Sequence, residues 1–312
     1  MEKAILQILE SFPPISLEEM NEIRLMNRMD QKYLTTVHQL IELLRMAKGK
    51  YRVQVNNGHR VAGYRTLYLD TPDEEMYLMH HNRRAPRQKV RVRTYLVRGE
   101  TFLEVKNKNN RGRTKKKRLY VCGPEQADIL AAPNLMEQLD QVGGNELMEK
   151  YAWYRLEQLV PKMESRFERI TLVNMAMTER LTIDCNIRFY HHETGFDNTF
   201  EQLVVIELKR DGNVDSPLLN MMRTLRIRPS GFSKYCIGSV MTNPGLKYNN
   251  FRRRIRRIQK MIGEEVTGIV KPKVRANESR KMLAATLPNR RQTECSAELV
   301  RAMPRCEGGK DA

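Results

Sequence analysis

The sequence predicts an α+β protein built on a large antiparallel sheet with helices beside it, and three observations carry that prediction. Residues 87–118 alternate basic and apolar side chains in two runs joined at Arg98-Gly99-Glu100, the pattern of a hairpin. Arg180, Thr182, Asp184, Asn186 and Arg188 alternate with Leu181, Ile183, Cys185, Ile187 and Phe189, which is a strand period and not a helical one. About eight such strands can be placed, nearly all with charge on one face and aliphatics on the other. That amphipathy fits an open sheet with one wet face, or a closed barrel with a charged lumen.

The elements follow in order. Ile5, Leu6, Ile8 and Leu9 give a short amphipathic helix that Pro13-Pro14 stops. Ser16-Leu17-Glu18-Glu19 is a capping box and starts a second helix. Arg28, Asp30 and Lys32 alternate with Met29, Gln31 and Tyr33 as a first strand, and Val37, Leu40, Ile41 and Leu44 have helical spacing. Residues 64–70 form a strand closed by Thr71-Pro72, and Asp73 to His80 a helix. The hairpin comes next, then a strand over residues 115–121 that ends at Gly123-Pro124. A helical insert occupies residues 125–157, with its lone Trp153 expected in the core. Strands return at 161–168, 179–190 and 203–209, followed by helices from Ser216-Pro217 and from Phe232. The predicted organisation is a domain over residues 1–244, a basic amphipathic helix over 245–264 and a disordered tail over 265–312. The helix, with Arg252, Arg253, Arg254, Arg256 and Arg257, reads as a solvated face or a docking helix for acidic lipid or polyphosphate.

Composition narrows the function. A net charge of +18 and a pI near 9.8 call for an anionic partner such as nucleic acid, acidic lipid or a polyphosphate. Arg83 to Arg118 holds 15 basic residues against Glu100 and Glu104, a density that repels itself without a polyanion. Aromatics are 7% and do not interleave with the basic strands, which argues against nucleic acid. The five scattered cysteines form no Cys-x-x-Cys pair, which argues against zinc and fits a reducing cytosol. No run approaches a membrane span, and the N-terminus does not read as a signal peptide. Lys115-Lys116-Lys117-Arg118 reads as a solvated turn.

The residues then become recognisable. Arg28-x-Asp30-x-Lys32-Tyr33, Tyr68-Leu69-Asp70-Thr71-Pro72 and Lys89-x-Arg91-x-Arg93-x-Tyr95 resemble the VTC domain. Glu104-x-Lys106, Arg166-Phe167, Arg180-Leu181-Thr182-Ile183-Asp184, Glu207-x-Lys209 and Ser233-Lys234-Tyr235 continue the resemblance in order over roughly residues 20–242. This family is the polyphosphate polymerase branch of the triphosphate tunnel metalloenzymes. The resemblance implies an eight-stranded antiparallel β-barrel, a triphosphate tunnel, that moves the γ-phosphate of ATP onto a polyphosphate chain with Mn²⁺ or Mg²⁺. By the same resemblance Lys32, Arg91, Arg93, Lys106, Arg166, Arg180 and Lys209 are the catalytic phosphate-binding set. Lys234 and Glu104 bind substrate, and Glu207 binds the metal. Asp184 is a structural partner for a lumen arginine. An integral-membrane partner for export is implied too, with the chain cytoplasmic at the inner face of the membrane.

The start of the chain departs from the wider superfamily. Arg28-Met29-Asp30-Gln31-Lys32 stands where thiamine triphosphatases and related cyclases carry Glu-x-Glu-x-Lys. That favours a polymerase over a metal-dependent triphosphatase of the same fold; a non-catalytic polyphosphate or nucleic-acid binder is the other alternative. An ionised phosphate acceptor needs no general base, so none of the six histidines is nominated.

Overall fold

The computed structural model describes residues 2–21, 28–126, 128–212 and 214–263, so the expected tail at 265–312 lies outside the described residues. Helix α1 (Glu2–Glu10) buries Ile5 and Leu9. After the two-residue strand β1 (Pro14–Ile15), α2 (Leu17–Asn21) opens with the capping box. The Ser16 amide donates to Glu19 Oε2 at 2.8 Å and the Glu19 amide to Ser16 Oγ at 3.1 Å. Strand β2 (Arg28–Thr36) runs into α3 (Val37–Ala47), where the Thr36 hydroxyl caps by accepting from the Gln39 amide. Strands β3 (Tyr51–Gln54) and β4 (Ala62–Asp70) follow, then α4 (Glu75–His81). Buried Asp70 accepts from the amides of Thr71, Met76 and Tyr77 and from the Tyr235 hydroxyl, so that carboxylate is a structural knot.

The hairpin is β5 (Arg87–Tyr95) and β6 (Glu100–Lys108), extended by β7 (Thr114–Cys122). The insert supplies α5 (Leu135–Gln141) and α6 (Gly144–Tyr151). Leu139 and Met148 fill its core, whereas Trp153 is 44% exposed, contrary to the expectation of a core residue. The second half contains β8 (Val160–Asn174), β9 (Glu179–His191), β10 (Asp197–Phe200) and β11 (Leu203–Asp211). Helices α7 (Pro217–Thr224), α8 (Lys234–Thr242) and α9 (Arg252–Ile262) complete the described chain.

The main path of the sheet is β2-β11-β9-β8-β4-β5-β6-β7, antiparallel throughout. Eight strands are there, but the ladder does not close into the eight-stranded barrel that the resemblance implies: β2 and β7 end the path. Both edges are occupied or blunted. The β2 edge is met by a loop, with Tyr33 bridged to Pro229 and the Ser230 amide donating to the Lys32 carbonyl at 2.8 Å. The β7 edge exposes Lys115 to Arg118, and charge of that kind deters strand pairing. The sheet still curls, since Lys106 on β6 lies within the electrostatic reach of Lys32 and Glu207 on β2 and β11.

The outer face is aliphatic. Val204, Ile206, Leu208, Leu181 and Ile183 pack under α1, α3 and α7, and Val90, Val92, Leu103 and Val105 under α5 and α6. The inner face is divided. Part of it packs against α8 and α9, with Leu34 and Val205 meeting Tyr235, Ile255 and Ile258 in one cluster. The rest is charged. Helix α9 is therefore anchored through Ile255 and Ile258, while Arg252, Arg253, Arg256 and Arg257 face solvent. Among the described residues no helix is long and apolar enough to cross a membrane, and Cys122, Cys185 and Cys236 are free and buried.

Candidate functional site: a cationic trough

Strict alternation puts Lys89, Arg91 and Arg93 on the inner face of β5. Register sets Arg91 opposite Glu104 and Lys89 opposite Lys106 on β6. Arg91 Nε donates to Glu104 Oε2 at 2.7 Å and Lys116 Nζ to Glu104 Oε1 at 2.8 Å. Burial alone would raise the Glu104 carboxyl, but Arg91, Arg93 and Lys116 hold it down to about 2. Glu104 thus spaces and orients two cations. Arg93 Nε donates to Thr66 Oγ1 at 2.9 Å, and half-buried Lys89 donates to Ser233 Oγ at 2.7 Å. Lys116 corrects the expectation of a solvated turn over 115–118, because register places it opposite Lys106 and facing the trough.

The facing wall comes from β2, β11 and β9. Glu207 Oε2 lies 2.8 Å from Lys32 Nζ and Glu207 Oε1 lies 3.7 Å from Lys209 Nζ. Against the upward push of burial, Lys32, Lys209 and Arg169 bring the Glu207 carboxyl to about 2. Arg180 stands opposite Lys209 in register, and burial lowers the Lys209 ammonium. Lys106 is lowered to about 8, first by burial and then by Arg91, Lys89 and Lys32. These cations repel one another across a shared space, which is an arrangement ready for an anion.

Arg166 does not join them. It pairs in register with Arg65, is 58% exposed at the side chain, and donates to Glu164 Oε1 at 2.6 Å on the outer face. Strand β8 pairs with β4 without a break here, so plain alternation puts Met163, Ser165, Phe167 and Arg169 on the inner face and Glu164 and Arg166 on the outer one. The irregularity opposite Arg166–Glu168 is an extra residue on β9, where Asn186 takes a φ of 48°. That bulge swaps the faces of β9, so Asp184 points inward beside Arg169 while Arg188 lies outward opposite Arg166. Arg169 Nε donates to Asp184 Oδ1 at 2.6 Å and its Nη2 to Asp184 Oδ2 at 2.9 Å, a bidentate pair. Lys234, at the start of α8, donates to the same Oδ2. Burial would raise Asp184, yet Arg169 and Lys234 hold it well below the usual carboxylate range. Burial lowers Lys234 to about 8, with Asp184 opposing and Arg169 reinforcing that shift.

This correction has a direct test. Arg169→Ala is expected to weaken tripolyphosphate binding about tenfold or more, the worth of a charge-assisted contact, and Arg166→Ala to change it less than twofold. Titration calorimetry on both variants decides between the two arginines; equal losses would contradict the face assignment.

Aromatic rings also gather at this face, which the linear pattern does not show. Phe167, Tyr64, Tyr95, Phe102 and Tyr120 form a row across β8, β4, β5, β6 and β7. The expectation that aromatics and basic residues do not interleave is corrected by the register: Arg93 and Arg169 lie over Tyr64 and Phe167, and Arg118 lies 4.7 Å from the centroid of Phe102.

For a metal, no group of three or more His, Cys, Asp or Glu among the described residues could hold an ion. Glu207 is ionised and stands among cations, so the protein offers one hard oxygen. A single hard oxygen of this kind would suit Mg²⁺ or Mn²⁺ only where phosphate oxygens and water filled the remaining positions.

A family model for the VTC domain matches residues 27–243. No curated protein matches the chain. Among solved structures, the PH1012 protein of Pyrococcus horikoshii OT3 is 11% identical, with 64% of this chain and 92% of that one covered and a TM-score of 0.33. The PH1819 protein of the same organism is 11% identical, with coverage of 67% and 97% and a TM-score of 0.37. A conserved hypothetical protein of Pyrococcus furiosus is 11% identical, with coverage of 66% and 98% and a TM-score of 0.34. With the family match spanning the trough strands from Arg28 to Asp211 and the helix that carries Lys234, the chain belongs to the VTC domain family, a polyphosphate-associated tunnel-fold family.

Proposed function

We propose that this chain is an ATP-dependent inorganic polyphosphate polymerase. In this reading the trough, with α8 and the loop before it lying over one side, acts as a tunnel for the phosphate chain. The supporting observation is the convergence of Lys32, Arg91, Arg93, Lys106, Arg169, Arg180, Lys209 and Lys234 on one curled face with Glu207 between two of them. Phosphoryl transfer asks a protein mainly for positioning and charge neutralisation. The terminal oxygen of the polymer attacks the γ-phosphorus, the bond from that phosphorus to the bridging oxygen breaks, and ADP leaves with the electron pair. The acceptor is already ionised, so no side chain has to remove a proton.

Arg91, Arg93 and Arg169 grip nonbridging oxygens in planar, two-toothed fashion, which lowers the repulsion between two anions. Lys32, Lys106 and Lys209 balance the charge that accumulates opposite them. A divalent metal held by Glu207 and the phosphates would supply further charge neutralisation. Purified protein given ATP and Mn²⁺ is expected to release ADP and accumulate a phosphate polymer, resolved by gel electrophoresis. Free phosphate without polymer would overturn the reading in favour of a triphosphatase.

A further inference from the structure

The aromatic row has a direction. Successive ring centroids from Phe167 through Tyr64, Tyr95 and Phe102 to Tyr120 are 5.2, 5.1, 5.7 and 5.6 Å apart. The inner rings are core: Phe167 is 3% exposed and Tyr64 9%. Their faces are also covered by cations, with Lys234 Nζ 3.9 Å from the Phe167 centroid. The outermost ring, Tyr120, is 53% exposed. Core packing accounts for the inner rings but not for Tyr120, whose ring stands edge-on to Phe102 and open to solvent at the end of the row.

The basic groups stand one step deeper on the same faces. Two residues in from Tyr120 is Arg118 and two in from Tyr95 is Arg93, while two in from Phe102 the Glu104 carboxylate holds Arg91 and Lys116. Two residues along a strand are about 7 Å, a gap that a ribose bridges between a base and its first phosphate. The trough thus has a rim of rings and a floor of phosphate ligands in the order in which a nucleoside triphosphate presents its parts.

We propose that Tyr120, backed by Phe102 and flanked by Arg118, is a stacking platform for the nucleobase of the donor, and that it distinguishes a nucleoside triphosphate from a bare inorganic triphosphate. This rests on the donor being a nucleotide, as proposed above. Recognition by ring faces tolerates different bases and grows with stacking area, so purine nucleotides bind more tightly than pyrimidine ones.

The test compares two ligands on the full chain by titration calorimetry: the β,γ-imido analogue of ATP and inorganic tripolyphosphate. Tyr120→Ala is expected to weaken the ATP analogue about tenfold, the scale of one lost base–aromatic stack, and tripolyphosphate less than twofold. Tyr120→Phe keeps the ring and is expected to bind both ligands as the parent does. Equal losses for the two ligands, or no loss for either, would overturn the proposal. Both readouts are equilibrium binding and need no turnover. A protein that hydrolyses ATP without making polymer would therefore refute the polymerase reading and still show the Tyr120 difference.

Discussion

Glu207→Gln is expected to slow phosphate transfer about a hundredfold, the scale of removing one well-placed charge-stabilising group, while tripolyphosphate binds as tightly as before or more tightly. The two halves come from one geometry. Glu207 lies between Lys32 and Lys209 with its carboxyl brought to about 2, so it is ionised across the whole neutral range. In a site for polyanions that negative charge works against binding. Its place there is explained if it positions a cation that the reaction needs. The amide keeps the shape and can still accept from Lys32, but it gives up the charge. Steady-state rates with ATP and Mn²⁺, set beside calorimetric affinities for tripolyphosphate, separate the effects. A parallel fall in both would instead make Glu207 a scaffold for its two lysines.

Asp184→Asn carries the second large effect, and it falls on stability. Asp184 is 4% exposed and takes both teeth of Arg169 as well as the ammonium of Lys234. Removing one partner from a buried ion pair leaves its counter-charges uncompensated, at a cost of about 3–5 kcal/mol. For a domain of this size that lowers the melting temperature by roughly 10 °C. The pH dependence has a definite sign. Lys234 is already lowered to about 8 with its counter-charge present, and it falls further without it. Between that lower value and 8 the variant's folded state has shed the Lys234 proton and the parent's has not, so the variant gains stability with rising pH relative to the parent; the gap narrows up to about pH 8 and stays constant above it. Tripolyphosphate, which supplies the missing negative charge, is expected to raise the melting temperature of the variant more than that of the parent. An unchanged melting temperature would mean that the two cations find other partners.

How much of this can be read from the sequence depends on the length of the alternation. Strands β5, β6 and β11 carry unbroken period-two patterns, as does β9 up to the bulge at Asn186, and Arg91, Arg93, Lys106, Arg180, Glu207 and Lys209 were legible from them. Arg169 was not. Strand β8 keeps its period, but Lys162, Glu164, Arg166 and Glu168 share one face and make the outer side look like the charged, inward one. The signal was there in Met163, Ser165 and Phe167, whose face is the continuous one into the trough. Lys116 was hidden by company: four consecutive basic residues look solvated, and in register it is Arg118 that stands opposite Glu104, while Lys116 reaches that carboxylate diagonally through its side chain. Barrel closure is a tertiary matter, decided by Pro229 and Ser230 at one sheet edge and the lysines of β7 at the other. The short strands β1, β3 and β10 have too few residues to display a period at all.

The central claim is that phosphate anions lie along the inner face between β6 and β2, and lysine labelling reads it directly. Lys106 reaches solvent in the trough and, at about 8, holds enough neutral amine to react with an acylating reagent near pH 8. Lys32, at 35% side-chain exposure, is accessible across from it. Adding tripolyphosphate is expected to protect Lys106 and Lys32 together, by mass spectrometry of the peptides, while Lys48 and Lys50 at the far end of α3 label unchanged. Protection confined to Lys260 on α9, with Lys106 and Lys32 reacting as before, would contradict the account.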